Sequence, residues 1–189
     1  MTPWAVQLEQ LDAIRRETAE LLSDLDNTQL SWRPDAGGWS IAQCLQHVTM
    51  VTLRLMPAVD QMIDEARKRQ LAGLPGYRRS LLLAWVTRGL EPPPHWRIRT
   101  SRELEPGAEF DRDHLLAGFL AVHGELAANL REATEVHPDR ARTAVPFAPL
   151  LRMTLGQAVE FILAHARRHL WQARQVRRNP GFPKDSANH

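Results

Sequence analysis

Cysteine is nearly absent from this chain. Cys44 is the single thiol among 189 residues, which excludes an internal disulfide framework and a multi-cysteine zinc site. Lysine is scarce too: of 24 basic residues only Lys68 and Lys184 are lysines, and the rest are arginines. The net charge is +2, yet the isoelectric point reaches about 9.2, because a guanidinium does not titrate below pH ~12. The arginines are dispersed among acids. Clusters such as Arg15-Arg16, Arg67-Lys68-Arg69, Arg167-Arg168 and Arg177-Arg178 read as solvated helix faces. No basic stripe with interleaved aromatics occurs, so no nucleic-acid partner is expected. No run of about 18 apolar residues occurs either, which argues against a membrane-spanning helix and a membrane partner. The N-terminal stretch lacks a charged region followed by an apolar one, so no secretory signal is expected and the cytoplasm is the expected location. The remainder is ordinary globular material, 43% apolar and 24% charged. It predicts one folded domain over residues 1–180 with a flexible tail over 181–189.

Apolar periodicity predicts four long amphipathic helices. The first spans about Pro3 to Leu25, with Thr2 as cap and Trp4, Leu8, Leu11, Ala19, Leu22 and Leu25 on one stripe. Asn27 to Trp39 reads as a connection, since Pro34, Gly37 and Gly38 are strong breakers. Ser40 and Gln43 form a capping box that opens a second helix running to about Gln70, and Pro57 should kink or interrupt it. Residues 71–110 are irregular: a short helix over Tyr77 to Arg88, then an extended crossover from His95 to Phe110. A third helix runs from about Asp111 to Glu135. A second crossover, rich in proline, leads to Thr154 and Gln157, another capping box. The fourth helix continues to about Arg178, where Asn179-Pro180-Gly181 stops it. With no convincing alternating strand, the prediction is an all-α four-helix bundle with two long crossover connections.

The chemistry concentrates in the fourth helix. His165 and His169 stand four residues apart, so both rings lie on one helix face and can reach one metal ion. Ile162, His165, His169 and Gln172 continue the stripe that points into the bundle. Two buried imidazoles need partners. Either a metal ion satisfies them, or a buried carboxylate or water does. His47 follows the buried edge of the second helix, on the steps Cys44, His47, Val51. It is a core histidine or the third ligand of a three-histidine site with an open fourth position. His123, between Phe119 and Leu126, is a core-edge histidine, a fourth ligand, or a base beside the metal. Gln172 could orient a bound water or ligand. Cys44, one turn before His47, is a buried apolar residue or a thiol lining the pocket. Trp39, Trp85, Trp96 and Trp171 read as core or pocket wall, and His95, His114, His137 and His189 as solvent or loop residues.

These residues carry a family resemblance. Arg33-Pro34, Gly38-Trp39-Ser40, Gln43 and His47 lie in a stretch similar to RPxxGxWSxxQxxxH, and His165, His169 and Gln172 resemble a closing HxxxHxxQ. Both belong to the DinB-like (DinB/YfiT-type) superfamily. The resemblance implies a four-helix bundle that binds one divalent metal ion through His47, His165 and His169. It also implies a homodimer, and a relationship to thiol-dependent transferases and isomerases that use low-molecular-weight thiols. Here Val145 precedes Pro146 where many relatives carry His-Pro.

Three functions compete. The first is an enzyme acting on a small-molecule substrate, in which the metal activates a thiol or water at neutral pH. No Glu or Asp stands at a fixed offset from the histidines as in HExxH, which favours thiolate transfer over hydrolysis. The second is a non-catalytic bundle that binds a metal or small ligand. The third, nucleic-acid binding, rests on arginine content alone. Imidazole ligands suit zinc or nickel, with iron or copper as further options.

Overall fold

In the computed structural model, residues 3–34, 37–71, 81–93, 100–146 and 148–184 are described. Among the described residues six helices form: α1 (Ala5–Leu22), α2 (Asn27–Ser31), α3 (Ile41–Lys68), α4 (Leu81–Leu90), α5 (Arg112–Glu132) and α6 (Leu155–Arg177), with a 3-10 turn at Arg102–Leu104. Strands β1 (Arg142–Val145) and β2 (Ala148–Thr154) pair antiparallel before α6. The four long helices α1, α3, α5 and α6 make the predicted bundle. Among the described residues no helix is long and apolar enough to cross a membrane.

The helix order around the bundle explains the long crossovers. α3 packs against α5 and α6, and α1 packs against the same two, so α1 and α3 lie on one diagonal. Asn129 donates to Asp60 and Arg67 donates to the Glu132 carbonyl. Those bonds pair the C-terminal halves of α3 and α5, so the two run parallel. A parallel neighbour cannot be reached by a short turn, and the chain between Arg69 and Asp111 must return along the bundle. α1 and α6 are also parallel: Gln10 meets Arg167 and Glu17 meets Arg174.

The two capping boxes form as the sequence predicts. The Ser40 side chain accepts from the Gln43 amide, the Thr154 side chain accepts from the Gln157 amide, and each glutamine reaches back to its cap. In α3 the apolar positions Ile41, Cys44, Leu45, Val48, Leu55, Val59 and Met62 are all buried. In α1, Ile14 and Leu21 join the core as well, while Ala19 is only half-buried.

Several expectations need correction. α1 begins at Ala5 with Trp4 at its cap position, and the proposed cap Thr2 lies outside the described residues. α3 continues through Pro57. The carbonyl that Pro57 cannot bond belongs to Leu53, and both residues are exposed, so water can take the bond. The connection after α1 contains a one-turn helix, α2, with its own capping box from Asp26 and Gln29. The short helix of the crossover is Leu81–Leu90, and positions 77–80 and 95–99 of that crossover lie outside the described residues. Its later part includes the 3-10 turn where extended chain was expected. The second crossover holds the β1–β2 hairpin where no strand was expected. Beyond α6, Phe182 packs edge-on against Trp32, and Gln29 donates to the Pro183 carbonyl. Positions 185–189 lie outside the described residues.

Candidate metal centre

His47 comes from the second turn of α3, and His165 and His169 from adjacent turns of α6. One ring nitrogen from each lies within 4.8 Å of the others. The ring centroids are 5.0 Å apart for His47 and His165, 4.8 Å for His47 and His169, and 4.6 Å for His165 and His169. All three side chains are buried, with 5%, 8% and 7% of their surface exposed. The helices that bring them together are those whose starts the capping boxes fix.

Aromatic walls hold the rings. Trp39, just before the Ser40 cap, packs 4.8 Å from the His47 ring and stacks 5.6 Å from the His169 ring. Phe161 stacks on His165 at 5.6 Å. His47 is oriented further by a backbone group: its Nδ1 donates to the Leu104 carbonyl at 2.9 Å. A carbonyl can only accept, so Nδ1 carries the proton and Nε2 is left bare. Gln43 and Gln46 position that carbonyl. Gln43 donates to the Gly107 carbonyl, and Gly107 N–H donates to Gln46 at 2.7 Å. The segment after the 3-10 turn is thereby tied to α3 at two positions just before His47.

The electrostatics keep the imidazoles neutral. Burial pushes the His47 pKa down, against a smaller opposing effect of the Leu104 hydrogen bond. Burial pushes His165 well below its ordinary value, helped by His169, His47, Arg168 and His123. His169 falls to about 3 through burial, then His47 and Arg168, while Gln172 opposes the shift. Neutral imidazole is the form that binds a metal. The Nδ1 of His169 is buried and finds no hydrogen-bond partner among the described residues. Three converging neutral rings and an orphaned buried nitrogen fit a metal ion.

The other expected residues fall around this cluster. Gln172 is half-buried and interacts with His169. His123 is fully buried on α5 and stands outside the three-histidine cluster, close enough to His165 to oppose its protonation. Cys44 is fully buried, and burial pushes its thiol pKa well up, so it packs as an apolar residue and supplies no thiolate. His114 is exposed and His137 half-buried, while His95, Trp96 and His189 lie outside the described residues. Two participants escaped the sequence reading. Leu104 acts through its backbone, which no side-chain pattern reveals. Arg168, placed on the solvent side by periodicity, is half-buried and bears on both histidines of α6.

A helical bundle with three neutral imidazoles gathered across one seam defines a class, that of helix-bundle proteins whose buried histidines fit metal binding. The chain belongs to the DinB superfamily, whose profile matches residues 10–173. It is 23% identical over 164 residues to the uncharacterized protein YuaE of Bacillus subtilis (strain 168), covering 86% of this chain and 92% of YuaE. Its fold is similar to that of YfiT from Bacillus subtilis, with a TM-score of 0.59 and 16% identity over 94% of this chain and 87% of YfiT. YfiT is described as a probable metal-dependent hydrolase with an unusual four-helix bundle topology. At that identity the likeness shows the fold alone.

Proposed function

We propose that His47, His165 and His169 hold one divalent metal ion, and that the protein is a metal-dependent transferase for a low-molecular-weight thiol. The observation that carries the metal reading is the convergence of three buried ring nitrogens within 4.8 Å. Three histidine ligands suit zinc or nickel, and iron or copper next. A divalent ion there would lower the pKa of a coordinated thiol or water and so supply a nucleophile at neutral pH.

The chain's own residues bind and orient. His47 is locked by Leu104, and Trp39 and Phe161 wall the rings. Among the described residues no carboxylate joins the histidine cluster, so none of them offers a carboxylate base within it. Cys44 is held protonated by burial. Both facts favour a nucleophile that arrives as a cosubstrate thiol. A second reading, hydrolysis, is favoured by the likeness to YfiT.

Elemental analysis of protein purified without an affinity tag tests the ligands. About one divalent ion per chain is expected, and its loss in the His165→Ala/His169→Ala double variant. Unchanged metal content in that variant refutes the assignment. Assays of the metal-loaded protein with electrophilic acceptors and several small thiols test the reaction. Turnover should require added thiol and survive Cys44→Ser. Turnover without thiol selects the hydrolase.

A further inference from the structure

Gly107 is gripped on both sides of its backbone. Its N–H donates to Gln46 Oε1 at 2.7 Å, and its carbonyl accepts from Gln43 Nε2 at 3.1 Å. Gln46 and His47 stand three and four residues after Gln43, so all three share one face of α3. Gln43 keeps its capping role at the same time, because its Oε1 accepts from the Ser40 N–H.

Three residues before Gly107, the same segment reaches His47, whose Nδ1–H donates to the Leu104 carbonyl at 2.9 Å. Glu105 and Pro106 separate the two contacts. The proline ring fixes its own φ and restrains Glu105 to extended backbone, where φ is −71° and ψ is 124°. This stiff link transmits the position of Gly107 to the Leu104 carbonyl. On the other side the 3-10 turn holds Leu104: its N–H donates to the Ser101 carbonyl, and Glu105 N–H donates to Arg102. Burial adds little. Within residues 101–109, Leu104 and Pro106 are half-buried and the others exposed. With so little apolar surface removed from water, the hydrogen bonds to α3 carry the docking of this segment.

We propose that metal binding and the docking of residues 104–107 on α3 are coupled, with Gln46 as the positioning residue. By holding Gly107 it keeps the Leu104 carbonyl where His47 aims its Nδ1–H, and so keeps the bare Nε2 of His47 turned toward His165 and His169. The inference rests on the reading of those three histidines as ligands. The coupling is reciprocal: the factor that the docked segment adds to metal affinity is the factor that the metal adds to docking.

Zinc affinity by competition with a chromophoric chelator, and NMR of the full chain with nitrogen-labelled histidine and glycine, test it. Gln46→Leu removes the acceptor and should weaken zinc binding by about ten-fold, the low end for a group that acts behind a ligand. In the zinc-loaded variant the His47 ring signals should shift while those of His165 and His169 stay in place. Gln46→Glu, whose carboxylate oxygen can accept from Gly107, should restore the His47 signals. In wild type, zinc should slow exchange of the Gly107 amide proton by the same factor of about ten, a measurement that needs no variant. A Gln46→Leu affinity within about three-fold of wild type overturns the inference alone, as does a Gly107 amide whose exchange zinc does not alter. An unmoved His47 ring also overturns it, and so do shifts spread over all three rings, the mark of a bundle loosened as a whole. Wild type that binds no zinc overturns the ligand reading and this inference with it.

Discussion

α6 makes two seams of opposite chemistry. Toward α3 it presents His165 and His169 in a dry interior, beside His47. Toward α1 it presents arginines at the water's edge. Arg167 bonds Gln10 and also Glu91, Arg174 bonds Glu17, and Arg177 bonds Asp24 and the Leu21 carbonyl. Gln10, Glu17 and Asp24 recur every seven residues, as Arg167 and Arg174 do. Two helical turns separate each step, so a parallel pair keeps them in register. On this seam each of these arginines has a side-chain partner, and the pairs stay partly exposed to solvent. On the other seam, a buried nitrogen such as His169 Nδ1 lacks a partner among the described residues, at a cost of about 1–3 kcal/mol. An unsatisfied interior that persists beside a satisfied surface points to a ligand as the missing partner.

The comparison breaks most visibly when the ligand is removed. At a free metal concentration about a thousand times Kd, the loaded protein should be roughly 4 kcal/mol more stable than the metal-free form. A chelator should therefore lower the melting temperature of wild type and leave a His47→Ala variant almost unchanged. Calorimetry with and without chelator measures both. Equal shifts in the two proteins would mean that α3 contributes nothing to the bound ion.

The seam that carries the candidate site was also the easier one to read from sequence. Ser40 with Gln43 and Thr154 with Gln157 are local signals, set by residues three apart, and the structure forms both boxes. They fix where α3 and α6 start, and with that the faces on which His47, His165 and His169 fall. The pairing of the helices is another matter. That α1 lies diagonal to α3 and parallel to α6 depends on contacts between residues such as Glu17 and Arg174, far apart in sequence. Leu104 was invisible because its contribution is a carbonyl, which every residue possesses. The hairpin was hidden because Pro146 and Pro149 read as breakers. A two-stranded sheet consists only of edges, where proline can face its missing donor away from the ladder.

Acid provides a finer test of the dry interior. An unfolded histidine titrates near 6.5, whereas burial, with Arg15, lowers His123 to about 4 in the folded chain. Between those values the unfolded state binds a proton that the folded state refuses. Stability is therefore full above about pH 6.5 and falls as the pH drops toward 4, by up to about 1.4 kcal/mol per unit for this residue. Urea denaturation of the metal-free protein at several pH values between 7.5 and 5 measures the slope. His123→Leu should flatten it by about one proton's worth. An unaltered slope would place the acid sensitivity elsewhere in the interior.

The smallest effect belongs to the arginine seam. Arg174 Nη2 stands 2.7 Å from Glu17 Oε2, but the two side chains remain 39% and 42% exposed. Water competes for both ends, and holding two long side chains in one geometry offsets part of the attraction. Such pairs contribute about 0.2–1 kcal/mol at moderate salt. Arg174→Gln should lower stability by less than about 1 kcal/mol. The difference should shrink in 1 M salt, where charges are screened beyond about 3 Å. The variant leaves Glu17 half-exposed and hydrated, so no buried charge is stranded, and its metal content should match wild type. Denaturant titrations at two salt concentrations, with metal analysis, decide the matter. A loss above about 2 kcal/mol exceeds what an exposed pair supplies, and a loss of metal would mean that α1 helps to set the angle at which α6 offers its histidines to α3.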